Sequence, residues 1–485
     1  MTEPQAAPDR RGPLDRLLGV FAEVKSGEGP TALLLSFGLF LLLAAYYVIK
    51  PVRDSLITGL ENGAKYKSYM GAVIAVALLF AVPAYGAFAA RVPRQRLLFG
   101  VSAFFISNLI GFFVASFIPG VDAGFGQLAY ALVFFLWVGV FNMMIIAQFW
   151  SFAADVYTEE QGKRLFALVG LGASVGSAAG SVVTSFAKRL GTSSLLVVCA
   201  ILLALSAAVT LWVNARESER MAAKKTDDSG KPDEPQAPRD RPSALEGFRL
   251  VVSERYLLLI ALFTVVFTLC NTNGEYVKDE LVAKLAADTG HAQGLDAAQI
   301  KDLRTALFSE FYGWVNVLGV VLQSFVVSRV VQFLGLKRAF FILPVIALFD
   351  AGAIALFPVW SFIRFGKIAE NSVDYSLNNT LRAMLWLPTT RNMKYMAKQA
   401  IDTLFVRSGD VLSSVLVFVL ADRMKMGVRV FGVVNLGLVA VWLVLARLIG
   451  SENQSMSDKA AKAAAEAEAA HGASSSAASP TESET

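Results

Sequence analysis

The stretch TALLLSFGLFLLLAAYYVIK (31–50) carries no charge until its last residue. A helix rises about 1.5 Å per residue and needs about 20 apolar residues to cross a hydrocarbon core of about 30 Å. The run is therefore read as a membrane-spanning helix over 31–52 that leaves the bilayer through a charged exit, KPVRDSL (50–56). Outward from it, eleven more segments read the same way: 69–90, 97–118, 126–150, 165–187, 194–214, 255–277, 305–328, 338–357, 360–386, 401–421 and 428–449. Composition agrees. The 485 residues are 55% hydrophobic and 17% charged, against about 45–50% and about 25% in soluble domains. The mean hydropathy is +0.54. These values exclude an ordinary soluble enzyme, a disordered scaffold and a small secreted module. Cys199 and Cys270 both sit in apolar runs and read as small hydrophobes, not as a disulfide framework.

Lys and Arg set the expected orientation. With the N-terminus inside, the inner segments hold 27 of the 44 basic residues and the outer segments 13. Arg364, Lys367, Arg382 and Arg407 lie within spans. Both termini are thus expected in the cytoplasm. The net charge of +5 follows from these loops and does not imply nucleic acid. No cleavable signal is apparent. Leu14, Leu17, Leu18, Phe21 and Val24 recur at helical spacing and predict a short interfacial helix over 14–24. The predicted organisation is an N-terminal segment (1–30), a first bundle (31–214), a charged Pro-containing linker (215–253), a second bundle (254–449) and an Ala/Ser/Glu-rich disordered tail (450–485).

The two bundles repeat weakly. At an offset of 225, Lys50, Val52, Arg53, Asp54 and Leu56 of KPVRDSL meet Glu275, Val277, Lys278, Asp279 and Leu281 of EYVKDEL. Trp150 and Lys163 echo Trp386 and Lys398. Basic loops follow both the second span (Arg91, Arg94, Arg96) and the eighth (Arg329, Lys337, Arg338). Two parallel six-helix repeats joined by a long loop are the layout of major facilitator transporters. The predicted fold class is therefore an all-α integral membrane protein of twelve transmembrane helices in two six-helix repeats, major facilitator-like.

Ionisable residues inside spans are costly and face cavities or partners. In the tenth span Arg364, Lys367, Asn371, Asp374, Asn378 and Arg382 are spaced 3, 4, 3, 4 and 4 apart. On an ideal helix they form one narrow polar stripe, read as the wall of an aqueous cavity. The bland alternative is a self-paired ladder, such as Lys367 with Glu370 and Asn371 with Asp374. Lys50 and Arg53 share a face of the first span with Tyr46; Glu275 and Lys278 share a face of the seventh with Asn271. Snorkelling competes with a cavity role for Arg53 and Lys278. Asp350 reads either as a proton site or as a structural partner, and Arg407 and Asp410 read as a local pair. Gly172, Gly176 and Gly180 form a small-residue row suited to close helix packing.

FWSFAADVYTEEQGKRLFALVGLGAS (149–174) and DYSLNNTLRAMLWLPTTRNMKYMAKQAIDTLFVRSG (374–409) resemble two segments of the non-mitochondrial ATP/ADP translocases of intracellular bacteria and plastids. The matches include Phe149, Trp150, Phe152, Ala153, Lys163, Arg164, Gly170 and Gly172 in the first segment. In the second they include Tyr375, Ser376, Leu377, Met384, Pro388, Lys398, Asp402, Arg407 and Gly409. Glu275 falls where the family has a glutamate. The family's lysine in its DPTKEM block is Arg382 here, and its Asp and Glu there are Asn379 and Ala383. Nothing near Val138 matches its fourth-span acid.

The resemblance implies a secondary transporter that exchanges a nucleotide or related organic anion by alternating access. The open alternatives are an ion-coupled carrier of another small solute and a non-transporting receptor. The histidines are His291 and His471, both outside spans, and no metal cluster or catalytic triad is readable. No enzyme, metal or cofactor is expected. The expected substrate-binding residues are Lys50, Arg53, Glu275, Lys278, Arg364, Lys367, Asn371, Asp374, Asn378 and Arg382. The expected partners are the lipid bilayer and a small anionic substrate, with no nucleic acid, and the protein is expected to be a monomer.

Overall fold

A computed structural model describes residues 12–18, 24–89, 91–121, 123–157, 159–227, 244–389, 393 and 397–477. Among these all regular structure is helical. The first half runs α1 (Pro13–Leu18), α2 (Gly29–Thr58), α3 (Gly63–Ala89), α4 (Arg94–Ala115), α5 (Gly124–Val156), α6 (Glu159–Ser185), α7 (Ala187–Leu190) and α8 (Ser194–Asp227). The second half begins with α9 (Ala244–Ser253), α10 (Arg255–Ala292) and α11 (Ala297–Val321). A π-helical turn, Leu322–Val326, leads into α12 (Val327–Ala339) and then α13 (Ile342–Leu356). The tenth predicted span is α14 (Trp360–Val373), a π turn (Asp374–Asn378) and α15 (Asn379–Met384). The eleventh is α16 (Lys398–Ala400), a π turn (Ile401–Phe405), α17 (Val406–Val417) and a last π turn (Phe418–Arg423). α18 (Val428–Ala477) ends the described chain.

Each of the twelve predicted segments overlaps helix. Among the described residues, nine helical stretches are long and apolar enough to cross a membrane. The tenth segment is not one of them, because its polar stripe interrupts the apolar run. The ninth is not, because α13 has 15 residues, and the second, in α3, is not among the nine either.

Helix also extends past the predicted spans. α8 enters the linker as far as Asp227, α9 closes it, and 228–243 lies outside the described residues. α18 continues through the AAKAAAEAEAA segment to Ala477, where Ala, Glu and Lys are strong helix formers. Of the predicted interfacial helix, Pro13–Leu18 is helical and 19–23 lies outside the described residues.

The chain divides into two compact units. Unit 1 holds Met1–Pro238, Glu275–Val320 and Val359–Arg364; unit 2 holds Arg239–Gly274, Val321–Pro358 and Phe365–Thr485. α10 and α14 each contribute to both.

In unit 1, α6 lies against α2 along the glycine row. A Cβ on Gly172, Gly176 or Gly180 would sit 2.0, 2.2 or 2.3 Å from the backbone oxygens of Ser36, Phe40 and Ala44. Three glycines one turn apart thus let two backbones touch, as the small-residue row implies. At the corner between α1 and α2, Asp15 accepts hydrogen bonds from the amides of Gly12, Gly27 and Gly29 at 3.2, 3.0 and 3.0 Å. The bond from Gly27, followed by those from Gly29 and Gly12, holds its carboxyl below the usual carboxylate range despite burial. Glu28 receives both Arg164 guanidinium nitrogens at 3.0 Å, pinning the start of α2 to α6. Burial raises the Glu28 pKa, but Arg164, the Lys25 amide and Gln161 outweigh it, and the net shift is downward.

Unit 2 packs around Trp442 of α18, which lies edge-on to Phe263 at 5.8 Å. Tyr256 donates to the Leu385 carbonyl at 2.7 Å and accepts from Asn453 at 2.7 Å, tying α10 to the chain after α15 and to α18.

Candidate functional site

Two groups of polar side chains lie inside the apolar helices, one in each unit. In unit 1 the repeat-related exits of the first and seventh spans come together. Lys67, near the start of α3, reaches both repeat-related aspartates. Its Nζ lies 3.1 Å from Asp54 Oδ2 and 2.8 Å from Asp279 Oδ2. Asp54 also accepts from the Tyr312 hydroxyl at 2.6 Å and from Arg53 Nε at 2.8 Å. Lys278 pairs with Glu275 and stands 3.4 Å from Asp279 Oδ1. Asp54 and Lys278 are fully buried. One network therefore ties α2 and α3 to α10 and α11. Arg304 adds a further tie, donating to the Ser55 carbonyl at 3.0 Å.

The cluster holds four cations (Lys50, Arg53, Lys67, Lys278) and three carboxylates (Asp54, Glu275, Asp279). Lys50 is the cation that has no carboxylate within ion-pair distance among the described residues. Its ammonium instead sits 4.0 Å from the Tyr312 ring centre and 5.2 Å from that of Tyr47. Ring faces attract a cation by about 0.5–2 kcal/mol. That is less than a buried carboxylate would supply. Arg53 covers Asp54 on one side and the Phe135 ring, 4.6 Å away, on the other. These positions place Arg53 and Lys278 within the cluster rather than in a snorkelling pose.

The second group lies in unit 2. Lys367, fully buried, donates to Asn271 Oδ1 and to Glu370 Oε2, both at 3.0 Å. Gly274 makes this approach possible, since a Cβ there would stand 3.0 Å from Lys367 Nζ. Asn378 donates to Asp374 Oδ1 at 2.7 Å, and Asn371 is buried beside them. The first turns of the stripe are thus paired internally, although Asp374 is joined to Asn378 and not to Asn371.

The far end of the stripe opens. Arg382, Asn379, Ala383, Trp386, Lys398 and Asp402 line much of a cavity of about 260 Å³. Arg382 Nη2 lies 3.4 Å from Asp402 Oδ1, and both side chains are partly exposed. Arg364, one turn before Lys367 on α14, falls in unit 1 and pairs with Glu310 at 2.6 Å. Arg407 and Asp410 form the local pair read from their spacing, at 3.1 Å.

Nothing in the residue pattern marks Lys67, Tyr312 or Asp402 as site residues. Lys67 sits in a polar turn, where a lysine reads as solvated, and Tyr312 in an apolar helix, where a tyrosine reads as packing. Asp402 stands out only as a position that matches the family segment.

A family model described as TLC ATP/ADP transporter matches residues 116–453, a range that includes both motif segments. The chain belongs to the TLC ATP/ADP transporter family. This is a family of transporters, not enzymes, and its member here is an integral membrane protein. The chain is similar to ADP,ATP carrier protein 1 of Chlamydia pneumoniae, 23% identical over 348 residues, covering 63% of this chain and 64% of that protein. It is also similar to the chloroplastic ADP,ATP carrier protein 2 of Arabidopsis thaliana, 23% identical over 347 residues, covering 66% of this chain and 54% of that protein. The match thus spans less than two thirds of either relative's length.

Solved structures share the fold. A bacterial homologue of the iron transporter ferroportin in its inward-facing state superposes with a TM-score of 0.59 at 12% identity, covering 87% of this chain and 99% of that one. The nucleoside transporter NupG does so with a TM-score of 0.56 at 12% identity, covering 88% and 98%. At these identities the likeness shows the fold, which is of the major facilitator type.

Proposed function

We propose that this TLC family member is a secondary transporter that exchanges a nucleotide or related organic anion across the membrane by alternating access. The observation that carries this reading is the family match across 116–453. The curated relatives are named as ADP,ATP carriers, and the candidate site suits an anion. Lys50 offers a buried ammonium without a carboxylate partner among the described residues. Arg382 and Lys398 both line the unit 2 cavity. The two positions where the family block is acidic, Asn379 and Ala383 here, line that cavity as well. Their neutrality leaves Asp402 facing two cations, and an arriving phosphate or carboxylate would compete with it for the Arg382 fork.

In this reading Lys50, Arg53, Glu275 and Lys278 of unit 1 and Lys367, Asn371, Asp374, Asn378 and Arg382 of unit 2 each bind the substrate, as does Arg364, which rests on Glu310. The Lys67 bridge closes the outer end of the substrate's path and opens once per cycle. Both termini lie in the cytoplasm, the host is a bacterial inner membrane, and the chain works as a monomer of two six-helix bundles, 31–214 and 254–449, joined by the linker.

The test is exchange in vesicles. The purified chain is reconstituted, loaded with ADP, and offered labelled ATP, ADP, AMP, GTP and inorganic phosphate. Uptake of at least one labelled anion that depends on an internal counter-anion is expected. Uptake driven by an ion gradient with no internal anion would overturn exchange. No uptake of any of them by folded protein would overturn the anion reading.

A further inference from the structure

A second basic site lies in unit 2, away from the polar stripe. α12 is broken at Gly335, whose φ of +69° suits a residue without a Cβ. The break turns the chain so that Lys337 and Arg338 face α18. There Gly450 admits the Lys337 stem: a Cβ at 450 would stand 2.9 Å from Lys337 Cγ. Arg447, on the turn of α18 before Gly450, completes a cleft of about 860 Å³. Its polar side is Lys337, Arg338, Arg447 and Asn453; its apolar side is Leu334, Leu336 and Phe341. Among the described residues no carboxylate lines it. Among the described residues none of its three cations has an ion-pair partner. The cleft exists because α18 continues as helix beyond the predicted span, so that Asn453 and its neighbours form a wall.

Three uncompensated cations stand beside an apolar floor at the membrane end of two spans. A free anion needs the cations but gains nothing from the floor. An anionic phospholipid uses both, since its phosphate meets the cations while its glycerol and upper acyl carbons meet apolar side chains. Exposed Phe333 and Val444 (76% and 58%) extend the apolar surface along α12 and α18, in the direction acyl chains would run.

We propose that the cleft formed by Lys337, Arg338 and Arg447 binds the phosphate headgroup of an anionic phospholipid of the phosphatidylglycerol class. The site is separate from the transport path, and its failure would leave the exchange reading untouched.

The experiment uses the full-length chain in detergent and measures retention of labelled phosphatidylglycerol and phosphatidylcholine. The wild type is compared with the Lys337→Gln/Arg338→Gln/Arg447→Gln variant. Phosphatidylglycerol is expected to be retained over phosphatidylcholine, and the triple variant should bind it at least tenfold more weakly. Its melting temperature in phosphatidylcholine should be unchanged. Arg329→Gln, on the same helix but outside the cleft, should bind as wild type. Equal retention of the two lipids, or undiminished retention by the triple variant, would overturn the proposal. Displacement of the lipid by millimolar inorganic phosphate or ATP would overturn it in favour of a free-anion site.

Discussion

Replacing Lys67 by methionine keeps the length of the stem and removes the charge that stands between Asp54 and Asp279. The two aspartates lose unequally. Asp54 retains Arg53 at 2.7 Å and the Tyr312 hydroxyl at 2.6 Å. Asp279 retains Lys278 at 3.4 Å, a cation already engaged by Glu275. Removing one partner of a buried pair costs about 3–5 kcal/mol. The remaining partners of Asp54 favour the low end, about 3 kcal/mol. If the bridge closes one end of the pathway, that energy favours the open state, and about 1.4 kcal/mol per factor of ten makes the shift roughly a hundredfold.

The assay is labelling of Ser309→Cys, a buried position whose hydroxyl donates to the Ser181 carbonyl at 2.6 Å. Cys199 and Cys270, both buried, are replaced by alanine in this background. Maleimide labelling of the detergent-purified protein should speed up by about two orders of magnitude on Lys67→Met. The double variant Lys67→Met/Asp279→Asn should recover most of the wild-type rate, because the stranded carboxylate is gone. An unchanged rate in Lys67→Met, or a double variant as open as the single one, would refute the reasoning.

Arg382 is half of a partly exposed pair with Asp402, which is worth about 0–1 kcal/mol. Arg382→Ala should therefore fold normally and lose flux per folded molecule, while Arg382→Lys keeps part of it; an unchanged flux for the alanine variant would remove Arg382 from the path. Gly176→Ala places a Cβ 2.2 Å from the Phe40 oxygen, so α2 and α6 must separate, and a loss of about 1–3 kcal/mol should appear as a lower melting temperature. Asp15 has a lowered pKa in the folded protein, so its contribution is present above the unfolded value and lost as pH falls through the folded one. Protection of the Gly27 and Gly29 amides, measured against the intrinsic exchange rate at each pH, should thus hold from pH 8 down to about 5 and fall in more acid solution, and in Asp15→Ala it should be low throughout.

Much of this protein is legible in its sequence because a membrane makes one-dimensional demands. A bilayer offers the backbone no hydrogen-bond partners, so long apolar runs must be helices wherever they occur. The glycine row at 172, 176 and 180 announces a close helix contact because spacing alone puts three bare positions on one face. The motifs at 149–174 and 374–409 lead to the family for the same reason: they are local.

What the tertiary structure decided is which charges meet. Lys67 and Asp279 lie 212 residues apart, and Tyr312 and Asp54 258; no periodicity relates them. The polar stripe shows the limit of periodicity itself. On a regular helix Arg382 continues the line from Lys367, but the π turn at Asp374–Asn378 widens the helix and shifts the phase of everything after it. Arg382 then pairs with Asp402 in the wall of a cavity, and Arg364, before the π turn, pairs with Glu310. An ideal helical repeat fixes the neighbours of a residue one turn away, whereas a partner on another helix depends on how that helix is turned and packed.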